Sequence, residues 1–219
     1  MFPGDSFDYD YHLMWDIWRQ LTDTGLARIY HEDLQQLHQL GLNGLVSCQS
    51  FRAFYPSGLA MATLAEALWD PDEPWDAVRQ RYLDAAYGDH ADFVSDYLDK
   101  VESYLDTGDP HRRKPPLSNV DEAGLAAFAA FLDASLDDLA SRRASVPGGA
   151  QCRSLDLLAH HAQFLQFITR AYRARLAGRP EEAKHKLEQA ADFLRQTEPQ
   201  VSPFIDTMLA LRLSMEGSH

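Results

Sequence analysis

The chain has only two cysteines in 219 residues, Cys48 and Cys152. They fit no metal-ligand spacing, and two thiols in unlike contexts define no disulfide framework, so both read as free, buried thiols. Cationic residues are also scarce, 20 Lys and Arg against 33 Asp and Glu, for a formal net charge of −13. That balance excludes a nucleic-acid partner, which needs a concentrated basic face. It equally disfavours an anionic membrane surface. No run approaches the ~18 apolar residues of a membrane span. There is no glycine-rich phosphate loop and no GxSxG nucleophile elbow. Met1–Asp5 has neither a basic region nor an apolar stretch and is not read as a signal peptide. A repeat of fixed period is missing as well, which argues against a solenoid.

What is present is a core-forming composition, 45% hydrophobic and 11% aromatic, enough to exclude disorder. The densest stretch is Asn43–Leu59, NGLVSCQSFRAFYPSGL. An apolar run of strand length (Gly44-Leu45-Val46) gives way to Ser47, Cys48, Gln49, Ser50 and Arg52, and then to Phe54 and Tyr55. A buried strand with a polar C-terminal mouth is where parallel α/β folds place ligands.

Upstream, Phe7–Met14 (FDYDYHLM) alternates aromatic and polar residues, as a strand does with one face in the core and one toward a site. Trp15-Asp16-Ile17-Trp18 begins an irregular loop. Leu26–Leu40 is patterned as an amphipathic helix with Gly41 as its C-cap, and Leu42–Cys48 is the second strand. Strand, helix, strand predicts parallel pairing through a crossover. Two parallel strands cannot cover their own faces or edges, so the sheet partners are expected to lie outside this chain.

Downstream the pattern is helical. Helices are expected over Leu59–Trp69, from Pro74 to a stop at Gly88, over Ala91–Leu105, Asp121–Arg143, Gln151–Leu176 and Pro180–Gln196, and from Ser202-Pro203 to about Met215. Asp109–Ser118 reads as a proline-rich connector, and its basic cluster His111-Arg112-Arg113-Lys114 as solvated linker.

Chemistry-bearing residues gather at the two strand ends. Tyr9, Tyr11, His12, Trp15 and Asp16 combine flat rings with a carboxylate, which suits a sugar whose C–H faces stack and whose hydroxyls need hydrogen bonds. The structural alternative is a core strand in which the tyrosines fill space and His12 is a satisfied core histidine. Gln49, Ser50, Arg52 and Tyr55 repeat the theme, Arg52 as a clamp for a carboxylate or hydroxyl pair. The alternative here is that Arg52 pairs with an acid, Asp16 or another, and pins the loop. Cys48 has no evident activating partner for a nucleophile's role. His160 and His161 point about 100° apart on a helix and make no metal site. His31 and His38 read as surface histidines.

The segments SFDYDYHLMWD (Ser6–Asp16), HEDLQQLHQLGLNG (His31–Gly44) and SCQSFRAFYPSGL (Ser47–Leu59) together resemble the DUF4838 family, proteins similar to carbohydrate-active enzymes with a (β/α)8 barrel. The resemblance is carried by Tyr11, His12, Met14, Trp15 and Asp16, then His31, Glu32 and Asp33, then Ser47, Cys48, Gln49 and Arg52. It continues more loosely through Leu68-Trp69-Asp70 and Tyr82–Gly88. It implies a mainly α chain: a terminal βαβ piece of an incomplete TIM barrel over 1–58, and an α-helical bundle domain over 59–219 with linkers near 107–120 and 145–150. The two strands would be the last two of the barrel. Tyr11, His12, Trp15, Asp16, Gln49, Arg52 and Tyr55 would bind a carbohydrate, an oligosaccharide or glycoside, with no metal or other cofactor. Glycoside hydrolysis needs two acids at a defined separation. Only Asp16 can be nominated here, as a substrate contact, so the catalytic residues would lie on barrel strands outside this chain. A signal peptide, for a secreted or periplasmic parent, would then lie upstream. A self-standing helical interaction module whose strands complete a partner's sheet is the competing expectation, and either reading leaves strand edges open to self-association.

Overall fold

Two strands of three residues each, β1 (Asp8–Asp10) and β2 (Leu45–Ser47), pair in parallel with Asp8 opposite Leu45, Tyr9 opposite Val46 and Asp10 opposite Ser47. The computed structural model describes residues 6–13, 21–48, 52–106 and 114–216, with side chains as far as Leu211. Parallel neighbours need a crossover, and helix α1 (Thr24–Gln36) supplies it. The strands are shorter than the sequence pattern predicts, because a ladder extends only where both chains align. Its ends are the bonds from the Asn43 amide to the Ser6 carbonyl at 2.8 Å and from the Cys48 amide to the Asp10 carbonyl at 2.7 Å.

After β2 the chain is helical: α2 (Leu59–Trp69), α3 (Trp75–Tyr87), a 3-10 turn at Gly88–His90, α4 (Ala91–Leu105), α5 (Glu122–Ser145), α6 (Ala150–Leu176), α7 (Pro180–Val201) and α8 (Thr207–Glu216). The boundaries of α2, α3 and α4 coincide with the punctuation in the sequence. Pro74 precedes α3 with φ −63°, and Gly88 ends it at φ 56°. Asp121 caps α5 by accepting from the Gly124 amide at 2.7 Å, satisfying one of the four donors left free at a helix start.

The helix boundaries that depart furthest from expectation are the end of α1, the end of α7 and the start of α8. Helix α1 ends at Gln36, and Leu37–Leu40 is a turn closed by the Leu42 amide on the Leu37 carbonyl at 2.9 Å. Helix α7 runs on through Pro199 to Val201; losing one donor there does not outweigh the packing of its buried face. The last helix does not open at Ser202. Residues 202–204 are a turn, and α8 is capped by Asp206, whose Oδ1 accepts from the Leu209 amide at 3.1 Å.

The centre of the molecule is α6. Leu155, Leu158, His161, Ala162 and Leu165 are all fully buried, more than one stripe of the helix, as in a helix surrounded by others. It packs between α5 and α7, with α3 against it. One hydrophobic cluster runs from Leu13 and Leu26 through Leu98, Phe128 and Leu158 to Leu211, so the βαβ piece and the helices share a core. Helices α1 and α2 lie side by side. Their first turns meet where Asp23 bonds the Leu59 amide at 3.1 Å, and their last turns where Gln35 bonds the Pro71 carbonyl at 2.9 Å. They therefore run parallel. The basic cluster His111–Arg113 and the expected loop Trp15–Trp18 lie outside the described residues; Lys114 is exposed. Among the described residues no helix is long and apolar enough to cross a membrane.

Candidate functional site

Strand geometry sends alternate side chains to opposite faces of the sheet. On one face Leu45 packs against the hydrophobic core. On the other, Phe7, Tyr9 and Tyr11 follow one another at two-residue spacing, beside Val46 of β2, the register partner of Tyr9. These four are 62%, 56%, 54% and 47% exposed, so this face has no cover among the described residues. The Tyr9 and Tyr11 rings meet edge to face with centroids 5.7 Å apart. Cys48 sits beside the Tyr9 hydroxyl, and its hydrogen bond raises that phenol above its ordinary value.

His12 takes the opposite direction. Its ring lies against Tyr30 of α1, edge to face at 4.8 Å. Nδ1 contacts the Asp10 carboxylate and Nε2 lies 3.5 Å from Asp33 Oδ2. The Tyr30 hydroxyl donates to the His12 carbonyl. Burial pushes the Asp33 carboxyl up, and the nearby His12 pulls it back down in part. His12 thus ties the end of β1 to the crossover helix, and Tyr11 alone of that pair faces outward.

Arg52 reaches the far end of the chain. Its guanidinium donates to the Ser202 carbonyl at 3.3 Å and to Asp206 Oδ2 at 3.2 Å. Ala53 forms an isolated antiparallel bridge with Ile205, and the Phe54 amide donates to the Phe204 carbonyl at 3.1 Å. Tyr55, only 3% exposed, bonds His160 Nδ1 at 3.0 Å, and His160 Nε2 meets the Thr197 hydroxyl at 2.7 Å. The loop that leaves β2 is held at four successive residues. Trp15, Asp16 and Gln49 lie outside the described residues.

Beneath that loop is a buried polar network that spacing alone did not bring to notice. Ser57 donates to Asp23 Oδ2 at 2.7 Å, and the Tyr82 hydroxyl donates to the Ser57 carbonyl. Asp23 is fully buried, and desolvation raises its carboxyl against the lowering effect of the Ser57 bond. His161 Nε2 donates to the Leu21 carbonyl at 2.7 Å, leaving Nδ1 to accept from the Tyr97 hydroxyl at 3.1 Å. Burial holds both His160 and His161 down to about 4. Adjacent in sequence, they serve different neighbours, His160 the loop and α7, His161 the Leu21 turn and α4. His31, expected at the surface, is buried: its Nε2 meets the Glu73 carbonyl at 2.8 Å and its ring packs on Trp75 at 5.9 Å. His38 is exposed. Cys48 and Cys152 are both free, Cys152 buried and Cys48 half-buried. Among the described residues no group of three or more His, Cys, Asp or Glu could hold a metal ion.

Chemically the arrangement offers an aromatic platform on an uncovered sheet, at the carboxyl end of whose strands a firmly held loop departs. No protein-family model, no curated protein and no solved structure matches the chain.

Proposed function

We propose that the chain is the C-terminal portion of a carbohydrate-active, glycoside hydrolase-like protein of the DUF4838 type, supplying part of a sugar-binding cleft and a helical support domain. The observation that carries this reading is the bare aromatic face of a parallel sheet. Parallel strands occur with both faces covered, and here the face that carries Leu45 meets the hydrophobic core while Phe7, Tyr9, Tyr11 and Val46 remain exposed on the other. A barrel interior is the setting in which such a face is normally buried. The parallel packing of α1 and α2 adds support, since consecutive barrel units place their helices side by side. On that view the second β/α unit extends to Trp69, beyond the 58 of the sequence expectation.

In such a cleft the roles divide. Tyr11, with Tyr9 beside it, stacks on a sugar ring. The motif residues Trp15, Asp16 and Gln49 supply the remaining ring and the hydrogen-bonding groups. His12, Arg52 and Tyr55 hold the strand ends and the loop in place through the partners described above. The resemblance to the family rests on its motifs alone. Both routes of glycoside hydrolysis need an acid pair, so the chain by itself is inactive and the reacting carboxylates come from other strands of the barrel.

The test is the coding sequence upstream of Met1, with a screen of nitrophenyl glycosides on the chain alone. Continuous coding sequence with further β/α units and no turnover by the isolated chain are the expected results. Turnover by the chain alone, or an upstream stop with no barrel strands, overturns the proposal. The shared core running from Leu26 to Leu211 favours a second reading, a self-standing helical interaction module without enzymatic activity. A monodisperse monomer with strongly protected amides at Asp8 and Cys48 would select it.

A further inference from the structure

The helices beyond residue 120 carry no site residue, yet their last turn is where the loop after β2 is fastened. We propose that the segment Ser202–Asp206 is a clasp that positions this loop, with Asp206 and His160 as positioning residues. It rests on the carbohydrate reading only for its meaning, because the loop so held is the one that would form the β2 side of the cleft.

Contacts of three kinds converge on four consecutive residues. Arg52 gives a charge-assisted bond to Asp206 and a second bond to the Ser202 carbonyl. Ala53 is bridged to Ile205. That bridge is made through the Phe54 amide, which donates to the Phe204 carbonyl. Tyr55 bonds His160, itself held by Thr197 of α7. A loop fastened by one surface ion pair would gain little. Here main-chain bonds fix the register of residues 53–54 against 204–205, and the side-chain contacts flank them on both sides.

Asp206 is the pivot because its two oxygens have separate tasks. Oδ1 accepts from the Leu209 amide and starts α8, while Oδ2 takes the Arg52 guanidinium. The start of the last helix and the position of the loop are therefore set by one side chain. The turn at 202–204 is what brings it there: the Phe204 and Ile205 amides close on the Val201 carbonyl at 2.8 and 3.1 Å, ending α7 and presenting the Phe204 carbonyl, Ile205 and Asp206 to the loop.

The substitution Asp206→Asn separates the two tasks, since asparagine still caps a helix but no longer offers a charge to Arg52. Amide hydrogen exchange of the full chain, without sugar, is the measurement. In Asp206→Asn and in Arg52→Met the Phe54 amide is expected to exchange about threefold faster or more, as local opening becomes easier. Amides of α4 and α6 should be unchanged, Arg52→Lys should restore part of the protection, and the double variant should be no faster than either single one. Trypsin should also cut after Arg52 faster in Asp206→Asn. Unchanged exchange at Phe54, a rise spread evenly over α4 and α6, or strict additivity in the double variant overturns the clasp. Because no sugar enters the experiment, failure of the carbohydrate reading leaves its outcome unaffected, and failure of the clasp leaves that reading standing.

Discussion

The carboxylate of Asp23 caps a helix that is not its own. Asp23 occupies the position before α1 but makes no capping bond there; its Oδ2 instead accepts from the Leu59 amide at 3.1 Å, the first residue of α2. The Ser57 hydroxyl shares the same oxygen at 2.7 Å. Two consecutive β/α units are thereby locked together at the ends of their helices, close to where the loop after β2 must be held. Asp23 Oδ1 and the Tyr87 hydroxyl, both buried, have no hydrogen-bond partner among the described residues.

Asp23→Ala should therefore destabilise the chain by about 2–3 kcal/mol, the sum of a lost cap and a stranded Ser57 hydroxyl. Asp23→Asn keeps an acceptor for both donors and should cost much less. The pH dependence separates the two effects. Burial raises the Asp23 carboxyl in the folded state, so its stabilising contribution is complete below the unfolded value and is lost as pH rises through the folded one. Urea unfolding at about pH 3.5, below the unfolded value of an aspartate, and at about pH 8 should show Asp23→Asn gaining on the wild type at the higher pH. A constant difference would contradict a desolvated carboxyl.

The histidine pair should make the protein acid-labile in the opposite sense. His160 and His161 lie at about 4 when folded, held down by burial, against an ordinary value of 6.5. The unfolded chain then binds more protons between these values, so stability falls as pH drops from about 6.5 to about 4 and levels off below. The full shift is worth at most about 3 kcal/mol for each ring. An Asp23→Asn background removes the opposing contribution of that carboxyl and leaves the histidines to set the slope. Urea midpoints measured in that background from pH 7 to pH 4 should decline, and His160→Gln should flatten part of the slope. A midpoint unchanged over that range would refute the burial of neutral rings.

Gly58 is the tightest point of the loop. Its φ of +79° favours glycine, and an added Cβ would meet the Tyr82 hydroxyl at 2.9 Å and Phe54 Cδ1 at 3.3 Å. Gly58→Ala should cost about 2–3 kcal/mol, combining the left-handed backbone with a displaced Tyr82. In a Tyr82→Phe background, where the oxygen is gone, the same substitution should cost less. Thermal unfolding of the four variants gives the answer, and simple additivity would show that Tyr82 does not set the limit.

How legible the molecule is from its sequence differs by element. Helices α2, α3 and α4 end at Asp70, Gly88 and Asp106, close to the breaks that proline and glycine write into the chain. Parallel pairing of β1 and β2 follows from their separation by a single helix. Strand length was not legible, because it depends on partner alignment rather than on composition. Nor was the start of α8: Ser202-Pro203 has the look of a helix start, but Asp206 is the residue whose side chain reaches a free amide. His31 reads as exposed because its partner, the Glu73 carbonyl, is 42 residues away. Tyr55 is in the same position, its hydroxyl committed to a histidine 105 residues on. Arg52 shows the reverse: the reading in which it pins the loop through an acid was available, and only the identity of that acid, Asp206, needed the fold.

The uncovered sheet face should make the isolated chain associate with itself. Phe7, Tyr9, Tyr11 and Val46 expose apolar surface on a sheet whose outer edges have no strand partner among the described residues, a combination that natural sheets avoid. Val46 is 47% exposed, so Val46→Glu should leave thermal stability within about 0.5 kcal/mol of the wild type, as for most surface changes. On a chain already carrying a net charge of −13, the added carboxylate opposes close approach of two such faces. Sedimentation velocity should show the wild type growing heavier with concentration and Val46→Glu remaining a monomer. A wild-type chain that stays monomeric at every concentration would mean the face needs no cover, and the proposal of a larger sheet would lose the observation on which it rests.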